Sequence, residues 1–100
     1  MNDFRARLVW KHPAALAPYP RNAKVHSQAQ IQNLAQLIKN FGFTQPILVD
    51  KEGVIIAGHG RREAALLLNL KEVPTIVADH LTEDQIKAAR LADNASADAP

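Results

Sequence analysis

The sequence predicts an α/β (α+β) domain, a small mixed sheet of about four strands covered by three main helices. Short apolar, β-branched runs recur between turn formers: Leu8-Val9-Trp10, Ile47-Leu48-Val49, residues 54–57 and residues 73–78. Each is too short for a helix and has the composition of a strand. Separating them are stretches with apolar residues at helical spacing and capping residues at their ends. The order is strand, helix, strand, strand, helix, strand, helix, with no internal repeat or low-complexity segment.

Residues 1–7 read as a loose lead-in to an edge-type strand, Leu8-Val9-Trp10, closed by His12-Pro13. Trp10, the sole tryptophan, is expected as a core plug. Pro18 and Pro20 among turn formers make residues 16–24 an extended loop, which presents Arg21, Asn22 and Lys24 and leads into His26. Ser27 and Gln30 then have the spacing of a capping box. Ile31, Leu34, Ile38 and Phe41 form one apolar stripe, so the helix runs Gln28–Phe41 with Gly42 as a left-handed cap. Phe43-Thr44-Gln45-Pro46 bridges to the strand Ile47-Leu48-Val49, and Asp50-Lys51-Glu52-Gly53 turns the chain back into an antiparallel strand over residues 54–57.

A second helix over residues 61–68 ends at Asn69, and a strand over residues 73–78 has Pro74 near its start, where a missing N–H does least harm. The last helix is the best marked: Thr82 and Gln85 form a capping box, and Leu81 with Ile86 a hydrophobic staple. It is expected to continue to about Asp93-Asn94, leaving residues 95–100 as a frayed tail or as the point where a longer chain was cut.

Gly58-His59-Gly60, between the third strand and the second helix, is expected to be the turn that joins them. Its glycines allow a sharp bend and close approach of a ligand. The free N–H groups of the next helix point back into that turn, where the helix dipole is positive. Arg61 and Arg62 fall in the first helical turn, where like signs meet at a cost of about 0.3–1 kcal/mol each. A chain that places two cations there has something negative to neutralise, although a tight connection beside a solvated helix face carries the same pattern.

One hundred residues predict one domain over residues 1–100, or the N-terminal part of a longer protein, with a modest aliphatic core. The net charge of +2 tolerates a polyanionic partner without announcing one. The chain has no cysteine, which excludes disulfides, thiolate metal sites and cysteine nucleophiles. His12, His26, His59 and His80 lack metal-ligand spacing, and the motifs hold no cluster of converging carboxylates. No apolar run has the length of a membrane span and the first residues lack a signal-peptide core, so a cytoplasmic location and no membrane partner are expected.

Several motifs in fixed order resemble one family. They are Pro18-Tyr19-Pro20-Arg21-Asn22, then Phe41-Gly42-Phe43-Thr44-Gln45-Pro46-Ile47-Leu48-Val49, then Ile55-Ile56-Ala57-Gly58-His59-Gly60-Arg61-Arg62-Glu63-Ala64-Ala65, then Val73-Pro74 and Leu91-Ala92-Asp93-Asn94. Together they resemble the ParB N-terminal domain, of the ParB/sulfiredoxin-like superfamily that also includes ParB-like nuclease domains, over residues 16–94. The Gly-His-Gly-Arg wording is similar to a branch that accompanies DNA methyltransferases of phages and mobile elements.

The resemblance implies a nucleotide, CTP or ATP with magnesium, and a role beside DNA in partition, regulation or DNA modification. It implies phosphate or nucleotide binding by Gly58, His59, Gly60, Arg61 and Arg62, a pocket lined by Arg21 and Gln45, and a metal-side Asn94. Gln45 also reads as a polar loop residue and Asn94 as a helix C-cap. In the partition motif Gly-Glu-Arg-Arg, the glycine falls on Gly58 and the second arginine on Arg61, whereas the acid falls on His59 and the first arginine on Gly60. A further family arginine falls on Glu63, a charge reversal. The reactive cysteine of sulfiredoxins falls on His59, so their reaction is excluded.

Three functions follow as expectations. The first is a non-catalytic nucleotide-binding, DNA-associated module, with DNA held weakly and without sequence preference, and with a second copy of the chain as a homodimer partner. The second is a metal-dependent nuclease or nucleotide triphosphatase with His59 as base or ligand and Glu63 or Asp93 as acid. The third is a protein-interaction module that has lost its nucleotide.

Overall fold

A computed structural model describes residues 8–21 and 26–97, with side chains up to residue 93. Its elements are β1 (Leu8–Lys11), α1 (Gln28–Phe41), β2 (Ile47–Val49), β3 (Ile55–Ala57), α2 (His59–Leu67), β4 (Val73–Val77) and α3 (Glu83–Ala97), with a single 3-10 turn at Pro13–Ala15 after β1. The expected fold class and element order are present.

The sheet order is β1-β4-β2-β3. β4 is the pivot, antiparallel to β1 with Leu8 opposite Ile76, and parallel to β2 with Ile47 opposite Thr75. β2 and β3 pair antiparallel as expected, with a register shift between Leu48 and Val49. The turn between them is organised by Asp50, whose Oδ1 accepts from the Glu52 and Val54 N–H groups at 2.9 Å each, and by Gly53 at φ +85°. Val54 lies just outside β3 and bridges to Ala17 in parallel.

Two clusters form the interior. Leu16, Ile47, Val49, Ile55, Ala65 and Val73 are fully buried around the sheet, with Phe43, Leu70 and Val77 against them. Ile31 and Ala35 of α1 close on Ala64 of α2, where small side chains let the two helices approach, and Leu34, Ile38 and Leu68 flank that contact. Thr75, buried at the sheet centre, satisfies its hydroxyl on the Val73 carbonyl at 3.1 Å.

Both expected capping boxes are present. Ser27 Oγ accepts from Gln30 N–H and Gln30 Oε1 from Ser27 N–H; Thr82 and Gln85 repeat the exchange. Gly42 ends α1 at φ 82°, ψ 179°, a mirror-extended conformation open in practice to glycine alone, rather than a left-handed one.

Other expectations need correction. Trp10 is 59% exposed and Phe41 73% exposed. Trp10 sits on an edge strand whose four residues all face solvent, and Phe41 is the last helical residue, beyond the point where Ala35 meets Ala64. α2 begins at His59, two residues before the expected start, so Gly58 alone is the turn residue and His59 and Gly60 belong to the helix. α3 runs on to Ala97, three residues past the expected end at about Asp93-Asn94, since residues 95–97 hold no glycine or proline to stop it.

Candidate functional site

The N-terminus of α2 is unlike those of α1 and α3, because Gly58 is its N-cap and offers no side chain to the free N–H groups. Gly58 lies in the left-handed region at φ 108°, ψ 24°, and a Cβ there would meet the Ile47 Cα at 3.3 Å. That conformation and that contact require glycine. Gly60 answers to a different demand: a Cβ on it would lie 2.9 Å from the His26 ring and from Leu34 Cδ1. It therefore lets α1 and the residue ahead of it press onto the first turn of α2, rather than shaping the turn.

His59, Arg61 and Arg62 diverge from this terminus. His59 reaches back to the loop, where its Nε2 accepts the Tyr19 N–H at 3.1 Å. A neutral imidazole that accepts at Nε2 carries its proton on Nδ1, so its lone pair is committed to holding the loop. Arg62 is a strut: its Nε donates to the Pro13 carbonyl at 3.1 Å and its Nη1 pairs with Glu63 at 2.9 Å.

Arg61 points elsewhere, into a cleft of about 340 Å³ at the C-terminal end of α1. Leu34, Leu37, Ile38, Phe41 and Phe43 make its apolar walls, and Gln45 joins Arg61 as a polar lining group. Burial lowers the pKa of Arg61 below the usual guanidinium value, and the charge of Asp93 on α3 acts in the opposite direction. The Arg61 Nε is buried and finds no hydrogen-bond partner among the described residues. A half-desolvated cation beside a helix N-terminus is a place where an anionic oxygen gains both charge and donors.

The fold thus brings Arg61 and Gln45 to one cleft, with Asp93 near Arg61, while Gly58 packs against Ile47 and Gly60 against His26 and Leu34. Arg21 lies exposed on a turn, with no hydrogen bond to the α2 terminus among the described residues. Asn22 and Lys24 lie outside the described residues, as does the side chain of Asn94, whose backbone is within α3.

Sequence reasoning missed Arg90. Its guanidinium donates to the carbonyls of Val54 and Ile55 and to Asp50 Oδ2 at 3.3–3.4 Å, and stacks 4.1 Å from the centre of the Tyr19 ring. This one side chain fastens α3 to the β2–β3 turn and to the loop that His59 also holds. The available signal was its place four residues after Ile86, on the inward stripe of α3.

Residues 14–95 match the ParB N-terminal domain. The chain belongs to that family. It is 44% identical over 81 residues to the ParB-like nuclease domain-containing protein YnaK of Escherichia coli K12, covering 81% of this chain and 93% of YnaK. The chromosome-partitioning protein ParB of Caulobacter crescentus, solved with CTP-gamma-S, superposes with a TM-score of 0.75 at 26% identity, over 87% of this chain and 52% of that one. The same Caulobacter protein has been solved on its centromeric parS site. Sulfiredoxin from Arabidopsis thaliana shares the fold, with a TM-score of 0.66 at 18% identity over 82% of this chain and 94% of its own. This chain spans about half of the C-terminally truncated Caulobacter chain.

Proposed function

We propose that this ParB-like domain binds the phosphates of a nucleotide, CTP or ATP, at the N-terminus of α2 and serves a DNA-associated process in the cytoplasm. The observation that carries the reading is the uncapped α2 terminus beside the half-buried Arg61 guanidinium. The open backbone N–H groups of His59, Gly60 and Arg61 and the Arg61 side chain supply the donors, the Arg62 N–H being committed to the Gly58 carbonyl at 3.0 Å, and Gln45 lies in the cleft that Arg61 lines. The Caulobacter relative solved with CTP-gamma-S supports the choice of nucleotide, and its parS complex supports the link to DNA.

Magnesium fits this site only as a companion of the nucleotide. Among the described residues no three acidic or histidine groups converge to hold an ion by themselves. Magnesium is commonly held by one or two carboxylates together with substrate phosphates, and Asp93 is the carboxylate that α3 brings toward Arg61. Its contribution when bound is to neutralise phosphate charge. Asn94 is the neighbouring oxygen ligand implied by the family.

Gly60 and Glu63, standing where the resemblance places arginines of partition proteins, make this site less cationic than theirs, and His59 in place of an acid offsets only part of that loss. Its affinity is accordingly lower, and DNA is bound weakly, in the nonspecific range of about 10⁻⁴–10⁻⁶ M. The test is a calorimetric titration with CTP, ATP and GTP, with and without magnesium, alongside amide shifts of residues 58–62. Saturable binding that moves those amides is the expected result. A nucleotide that binds without moving them lies elsewhere, and no binding at millimolar concentration removes the reading.

The similarity to YnaK supports a second reading, a nuclease. His59 would then be the base, which requires it to release the Tyr19 N–H. Plasmid nicking with magnesium or manganese, abolished by His59→Ala, is the result that would establish it.

A further inference from the structure

The outer face of α1 is nearly without charge. Lys39 is the only charged residue of the helix, although charged residues make up 22% of the chain, and its other exposed polar positions are glutamines and asparagines. Depletion of charge beside exposed aromatic and aliphatic side chains is the composition of an interface core rather than of free surface. The apolar side chains are placed accordingly. Leu37, 53% exposed, and Phe41, 73% exposed, lie one turn apart, and Leu34 and Ile38 complete with them a stripe along the end of the helix.

That stripe is one wall of the cleft of about 340 Å³ into which Arg61 points, and Phe43 lines the same cleft. No carboxylate lines it among the described residues. Asp93 acts on Arg61 from α3 rather than from the cleft, and the buried Arg61 Nε has no hydrogen-bond partner among the described residues. The two cations of this surface, Arg61 and Lys39, therefore face an apolar groove that holds no acid of its own.

The occupant follows from this shape and charge. A small molecule is enclosed over most of its surface by its site, whereas here the wall stands open at Leu37 and Phe41, so the occupant extends beyond the cleft to cover them. A nucleic acid needs several cations along its path, and a membrane surface needs a longer apolar face flanked by many basic residues; α1 offers Lys39 alone. A polypeptide remains, carrying large apolar side chains for the stripe and a carboxylate for Arg61.

We infer that this face of α1 docks a short acidic, apolar segment of a protein partner, with a large apolar side chain entering the cleft beside Phe43 and a neighbouring Asp or Glu paired to Arg61. From Leu34 to Phe41 the stripe is about 10 Å long, which roughly two turns of helix or three extended residues would cover. The phosphate reading also uses Arg61, so the test is run without nucleotide, and its failure leaves that reading standing.

Phage-displayed random peptides are selected on the full chain and counter-screened on Phe41→Asp. Enriched sequences should carry an Asp or Glu within one helical turn of a large apolar residue. The most enriched peptide, labelled with a fluorophore, should bind about tenfold more weakly to Phe41→Asp and to Leu37→Asp, and equally well to Leu91→Asp, an exposed apolar position on α3. Replacing its acid by the amide should weaken binding to the unaltered chain by about tenfold and leave binding to Arg61→Gln unchanged. Should a variant fail to fold, amide shifts in the unaltered chain decide, and they should centre on residues 37–45. An unenriched library, enriched sequences without an acid, full binding to Phe41→Asp, an equal loss for the amide peptide on Arg61→Gln, or shifts centred elsewhere overturns the proposal.

Discussion

Arg61 carries its charge where both the helix dipole and partial burial oppose it. Because burial lowers its folded pKa below the unfolded value, the charged form costs stability throughout the ordinary pH range, and that cost is lost only as pH rises through the folded pKa and on past the unfolded one. Arg61→Met should therefore leave thermal stability unchanged or slightly higher in the free domain, while weakening phosphate binding by about 1.5–3 kcal/mol. Paired melting and calorimetric titration check both halves, and a mutant that loses stability but keeps affinity would make Arg61 a structural residue. Gly58 poses the opposite case. Gly58→Ala adds a Cβ against the Ile47 backbone in a left-handed conformation and should cost about 1–3 kcal/mol in urea unfolding.

Among the elements, α3 depends on Arg90. Arg90→Ala removes the fastening to the β2–β3 turn and leaves the Asp50 Oδ2 without that partner, so unfolding free energy should fall by about 2–3 kcal/mol. A loss under 0.5 kcal/mol would show that apolar packing of Ile86 alone holds the helix. Both capping boxes were legible because their partners lie three residues apart, and the antiparallel β2–β3 pair because a four-residue turn joins its strands. The exposure of Phe41 was not legible because helical spacing identifies a face without saying whether another element extends far enough to cover it, and that of Trp10 because its residue type says nothing of its place on an uncovered edge strand. Gly60 could not be read correctly either, since the residues that demand it, His26 ahead of α1 and Leu34 within it, lie far from it in sequence. Within the site, the glycine turn and the importance of Arg61 were visible in the sequence. The loop tie of His59 and the strut of Arg62 were not, because their partners Tyr19 and Pro13 lie 40 and 49 residues away.

For the molecule as a whole, a ligand that binds only the folded state adds to its stability by mass action. At a free concentration near 100 times Kd, a nucleotide should stabilise the domain by about 2.7 kcal/mol, seen as a rise in Tm that saturable binding predicts and nonspecific ionic strength does not. Binding to DNA should behave differently, falling steeply between about 50 and 200 mM salt in a gel-shift series and showing no preference among sequences.

The position of β4 between β1 and β2 has a consequence for how the chain is made. Leu8 waits for Ile76, and Ile47 waits for Thr75, so neither early strand has its place in the sheet until the ribosome has released residues 73–77. A product cut short after residue 72 would keep the β2–β3 hairpin and the α1–α2 contact but would leave β1 with nothing to lie along. Such fragments should bind chaperones and be cleared by proteases, whereas a chain extended past residue 77 should resist digestion almost at once. Arrested nascent chains of graded length, probed with protease, would show that step.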